Sequence, residues 1–156
     1  MVSVLFVCLG NICRSPMAEA VFRHLLKMED LEEKIKVDSA GIGNWHTGEV
    51  PHRGTRQKLK SLGISYEGLR ARQVNADDFS KFTYIIGMDD SNVNDLRHLA
   101  GNRNVNIYRF VDFIPDTTYT EVPDPWYTGN FEETYDLVSK GCRTLLEVIK
   151  KEHRLS

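Results

Sequence analysis

Cys8 and Arg14 bracket five residues, and Ser15 follows directly. A cysteine and an arginine at the two ends of so short a segment suit the transfer of a tetrahedral oxyanion. The thiolate attacks, and the planar guanidinium holds two oxygens in its fork, a geometry that lysine lacks. Between them run Leu9, Gly10, Asn11, Ile12 and Cys13. Their successive backbone N–H groups can line an anion cradle, with Gly10 and Asn11 tolerating the left-handed backbone of a curled loop. The Ser15 hydroxyl can donate to the sulfur and steady it as nucleophile and as leaving group. Taken singly, Cys8 or Cys13 reads as an inert buried cysteine. The Cys-x5-Arg-Ser pattern between a strand and a helix start favours catalysis, with a phosphate as the anion.

Cleaving a phosphate monoester puts charge on the departing oxygen, a phenolate of pKa about 10 if the alcohol is tyrosine, so a proton donor is needed. Asp124 is the candidate. Pro123 and Pro125 restrict its backbone, while Trp126 and Tyr127 follow to shield it from water and to contact a substrate ring. An isolated Asp-Pro would read as an exposed turn. Trp45, in the glycine-containing stretch from Gly41 to Pro51, reads either as a cap on the core or as a wall of the pocket mouth that stacks on the substrate.

The cysteine loop needs a strand before it and a helix after it. Val4 to Val7 is a continuous apolar run, as a buried parallel strand requires. Ser15 and Pro16 read as an N-cap and a first-turn proline, and the positive end of that helix reinforces the cradle. Met17, Ala20, Val21, Leu25 and Met28 recur at helical spacing. Alternation around Ile35 and Val37 predicts a second strand ending at Ser39-Ala40-Gly41. Further along, the pattern predicts a helix over Pro51 to Leu62, a short one over Asn75 to Phe82, a strand from Tyr84 to Met88, a helix capped by Asp89, and a strand from Val105 to Tyr108. A long loop from Val111 to Gly129 and a final helix opened by Asn130 complete the chain. Asp89, Asp90 and Asp95 read as capping and surface charge, and His46 and His52 as loop and helix-start residues. The fold class is therefore α/β: a small doubly wound, four-stranded parallel sheet with helices on both faces, its ligand site at the carboxyl ends of the strands, where Cys8 falls.

Residues 1–156 are expected to form a single domain. Hydrophobic residues at 41% and charged residues at 27% are ordinary globular values, and a net charge of −2 gives no basic bias toward nucleic acid or acidic membranes. No stretch has the length and apolarity of a signal or a membrane span, so a cytoplasmic location is the default expectation. Three cysteines, Cys8, Cys13 and Cys142, make neither a secreted disulfide framework nor a zinc pattern, and neither metal nor cofactor is expected. Two thiols in one loop raise the further expectation that Cys13 can bridge an oxidised Cys8.

Cys8-Leu9-Gly10-Asn11-Ile12-Cys13-Arg14-Ser15-Pro16 resembles the phosphate loop of low-molecular-weight protein tyrosine phosphatases. The likeness continues through Asp38-Ser39-Ala40-Gly41, Ala71-Arg72-Gln73, Gly87-Met88-Asp89 and Asp124-Pro125-Trp126-Tyr127. It implies a protein tyrosine phosphatase acting on a phosphotyrosine protein or a small aryl phosphate, with a phosphocysteine intermediate on Cys8, Asp124 as general acid and a selectivity residue at Trp45. The chain departs from the family at Leu69, where a histidine commonly supports the phosphate loop through Asn11. An arsenate reductase on the same fold is a rival reading, disfavoured because such reductases need a resolving cysteine pair in a mobile segment and this chain offers only Cys142, on an expected helix face. A phosphocarrier is another, disfavoured by Arg14 and Asp124, and phosphoarginine is an alternative substrate.

Overall fold

Val2–Cys8 forms the first strand, β1, and its side chains divide between two cores as period-two alternation requires. Val4, Phe6 and Cys8 join one cluster, while Leu5 and Val7 join the other. Both faces are covered, which is why the run is apolar without interruption. This computed structural model describes residues 1–155. After β1 come α1 (Arg14–Met28), β2 (Ile35–Gly41), α2 (Arg53–Ser61), α3 (Asp78–Lys81), β3 (Tyr84–Gly87), α4 (Asp90–Ala100), β4 (Ile107–Arg109), α5 (Pro125–Thr128) and α6 (Phe131–His153).

The four strands are parallel in the order β2-β1-β3-β4. Helices α1, α2 and α6 bury the face that carries Phe6, and α3 and α4 bury the face that carries Leu5. The sheet is therefore doubly wound. The chain winds from β1 to β2 on one side and then crosses to β3 on the other, so a crevice opens at the carboxyl ends of β1 and β3. Cys8 ends β1, and Asp89 follows β3 as the N-cap of α4.

Several local expectations give way. Helix α1 begins at Arg14, with Cys13 at the N-cap position and no side-chain cap. Ser15 therefore lies inside the first turn, and its hydroxyl turns back to the cysteine loop instead of capping the helix; Pro16 still sits where no N–H is needed. Met28 is 71% exposed, whereas Phe22 and Leu26 are buried, because α6 covers α1 from a second side and widens its buried arc. Helix α2 begins at Arg53, with His52 as its cap, and β4 is displaced to Ile107–Arg109. The stretch from Val111 to Gly129 is not one open loop. It contains the end of a 3-10 turn at Phe110–Phe113 and all of α5, because Phe110, Val111 and Phe113 are drawn into the core. Among the described residues no helix is long and apolar enough to cross a membrane.

Candidate active site

The loop from Cys8 to Arg14 is held from outside by its carbonyl oxygens. Ile42 N donates to Cys8 O at 3.0 Å, Gly43 N to Leu9 O at 2.9 Å, His52 N to Ile12 O at 2.7 Å, and Thr55 Oγ1 to Cys13 O at 3.1 Å. Among the described residues, the N–H groups of Gly10, Asn11, Ile12 and Cys13 donate to no protein acceptor. A row of free donors beside a helix N-terminus is the composition of an anion site. Asn11 adopts the left-handed conformation, with φ of 58°. Gly10 does not, contrary to expectation; a Cβ there would stand 3.1 Å from the His46 ring. At Gly41 a Cβ would come within 3.0 Å of the Leu9 and Gly10 backbone, so only glycine lets the end of β2 support the loop this closely.

Asn11 is the centre of a hydrogen-bond network. Its Nδ2 donates to Ser15 Oγ at 2.8 Å and to Ser39 Oγ at 2.9 Å, while its Oδ1 accepts from Arg72 N at 3.0 Å. Ser39 Oγ donates to Glu19 Oε1 at 2.6 Å, and Ser15 Oγ lies 3.0 Å from Cys8 Sγ. Leu69 takes no part and packs in the apolar core. The network therefore ends on a buried glutamic acid. Burial, first, and then Asp38 push its carboxyl up to about 7, against the Ser39 hydrogen bond and the charges of Arg23 and Arg72.

That shift has a sign. The folded protein holds the Glu19 proton more tightly than the unfolded chain, so stability is full below the ordinary value of 4.5 and falls as pH rises toward 7. The loss is on the order of 3 kcal/mol at most. Urea unfolding from pH 4 to 8 should show this decline in the native sequence and a flatter profile in Glu19→Gln. An unchanged slope in the variant would place the titration elsewhere.

Arg14 is 2% exposed. Its Nη1 donates to Asp89 Oδ2 at 2.7 Å and to the Val122 carbonyl at 3.1 Å, and its Nη2 reaches Asp124 Oδ2 at 3.4 Å. Its Nε is buried with no acceptor, a costly state that an oxyanion in the cradle would relieve. Burial lowers the arginine pKa, but Cys8, the Asp89 hydrogen bond and Asp124 outweigh it and hold the guanidinium above its ordinary value. Asp89 thus does more than cap α4: Oδ1 accepts from Asn92 N at 2.7 Å while Oδ2 pairs with Arg14. The capping pattern in the sequence accounts for one oxygen of Asp89 and carries no sign of the partner of the other. Cys13 is buried, and its thiol is pushed far up by burial, then by Cys8 and Asp124, with Arg14 opposing. Cys142 is fully buried on α6, its thiol directed at the Ala18 carbonyl.

Asp124 caps α5 by accepting from Trp126 N at 3.0 Å, with Pro125 at the next position. Cys8, Leu9, Gly10, Ile12 and Cys13 form the base of a cavity of about 270 Å³, and Asp124, Trp45, His46, Trp126 and Tyr127 form its walls. Trp45, Trp126 and Tyr127 are 66%, 53% and 77% exposed. They border the mouth and do not cover Asp124, whose side chain keeps 21% exposure; the expected shielding from water is corrected to this extent. His46, read from sequence as a loop residue, lines the cavity and packs on Trp126 at 5.7 Å. A histidine following a loop tryptophan carries no local sign of that role.

Residues 3–155 match the low molecular weight phosphotyrosine protein phosphatase family. The chain is 55% identical over 156 residues to the low molecular weight protein-tyrosine-phosphatase YfkJ of Bacillus subtilis, covering 99% of this chain and 100% of that one. It is 43% identical to the low molecular weight protein-tyrosine-phosphatase PtpA of Staphylococcus aureus, over 99% of this chain and 98% of that one. The crystal structure of YfkJ superposes with a TM-score of 0.95 at 56% identity, covering 97% of this chain and 96% of that one. A protein tyrosine phosphatase of Entamoeba histolytica, crystallised with Hepes in the active site, superposes with a TM-score of 0.90 at 36% identity over 100% of both chains.

Proposed function

This chain belongs to the low molecular weight phosphotyrosine protein phosphatase family, and from that premise we propose that it hydrolyses phosphotyrosine and small aryl phosphates through a phosphocysteine on Cys8. The observation that carries this reading is the free row of N–H donors around Cys8, completed by the buried, unpartnered Nε of Arg14. Cys8 attacks phosphorus in line. The bond to the phenol oxygen breaks as Asp124 protonates it. Water then attacks the phosphocysteine, Asp124 takes its proton, and phosphate leaves as the thiolate re-forms against the Ser15 hydroxyl. Arg14 holds two phosphate oxygens throughout. Trp45, Trp126 and Tyr127 select a flat ring beside the scissile bond. One catalytic domain over residues 1–156 and a cytoplasmic location belong to the same proposal; the three free cysteines support the latter.

Every step uses groups of the chain itself, so turnover of phosphotyrosine peptides should persist in a chelator and be inhibited competitively by vanadate, which mimics the five-coordinate transition state. Phosphoserine and phosphoarginine peptides, assayed in parallel, should be poorer substrates. Activity that returned only with a divalent metal, or a preference for phosphoarginine, would overturn the proposal.

A further inference from the structure

The acid-bearing turn has little to hold it. Helix α5 is four residues long, and the link from Arg14 to Asp124 is long, at 3.4 Å, and uses a donor that phosphate also needs. A ladder of rings supplies the missing support. Trp126 packs on His46 at 5.7 Å and edge-on to His52 at 5.6 Å, and His52 stacks on Phe131 at 5.1 Å and 18°. Phe131 in turn lies against Gly54, where a Cβ would run into its ring. His52 is fixed at both ends. Its backbone N–H donates to Ile12 O in the phosphate loop at 2.7 Å, and its Nδ1 accepts from Gly54 N at 2.9 Å. Trp126 N is the donor that fixes Asp124 Oδ1, so the position of the indole-bearing residue decides where the carboxyl stands.

We propose that His52 is a positioning residue for proton transfer: its ring, wedged between Trp126 and Phe131, sets the α5 turn, and its backbone ties that turn to the phosphate loop. This rests on Asp124 as the general acid. His52 touches no reacting atom; it acts through Trp126. Displacement of a catalytic group by about 1 Å costs up to about 10²-fold, and the loss should fall on the step that needs the proton.

Single-turnover phosphorylation rates should be measured on phosphotyrosine and on p-nitrophenyl phosphate, whose phenolate leaves without a proton. His52→Ala should slow the first by about 10-fold or more and leave the second nearly unchanged. His52→Phe keeps the ring and loses the Nδ1 acceptor, whereas His52→Asn can keep the acceptor and loses the ring. Recovery by phenylalanine and not by asparagine is the expected result. Recovery by asparagine alone, equal losses on both substrates, or no loss at all would each overturn the proposal and leave His52 as a helix cap. Asp124→Asn in the same series separates the two levels. If it lacks the leaving-group dependence, the acid assignment fails and this inference with it; if it has the dependence and His52→Ala does not, only the positioning role fails.

Discussion

Asp124→Asn should lower kcat on phosphotyrosine by about 10²–10⁴-fold, the range expected for loss of a general acid and base. Asparagine keeps the side-chain oxygen that accepts from Trp126 N, so the cap of α5 and the fold survive. What disappears is the proton, together with a 3.4 Å link to Arg14 that contributes little to stability. The loss should shrink across a series of phenols as their own pKa falls, because a better leaving group needs less protonation. Rates of the phosphorylation step, plotted against leaving-group pKa, check this; a uniform loss across the series would contradict the assignment.

Arg14→Lys should reduce kcat/KM by about 10²–10³-fold, as removal of an oxyanion donor does elsewhere. Lysine keeps the charge but not the fork. It cannot serve Asp89, the Val122 carbonyl and two phosphate oxygens from one planar group, and the present guanidinium is already committed to the first two through Nη1. Inhibition by inorganic phosphate should weaken in parallel, because the same fork holds the product. An unchanged inhibition constant would show that Arg14 does not grip the anion. Some stability is lost as well, since the Asp89 carboxylate, only 15% exposed, loses its close partner.

The residues that define the chemistry were legible because their requirements are local. Cys8, Arg14 and Ser15 must follow a strand and open a helix, and an apolar run ahead of a turn and a proline encodes that within a short window. The doubly wound parallel sheet was legible too, since strands alternating with helices admit few arrangements. Helix ends were less so. Ser15 has the chemistry of a cap, yet the curl of the loop gives its hydroxyl the competing partners Cys8 and Asn11.

What tertiary structure alone decided is the company these residues keep. Asp89 meets Arg14 across 75 positions of sequence, and Asn11 meets Ser39 across 28, because β3 and β2 lie on either side of β1. His52 reaches Trp126 and Phe131 only once α2 and α6 share a face of the sheet. A local pattern states which bonds a residue can make, and it is exhausted when one partner is found nearby. The second oxygen of Asp89, the far end of the Asn11 network and the rings around Trp126 are satisfied by segments whose proximity follows from burying apolar surface over the whole chain, which no window of sequence contains.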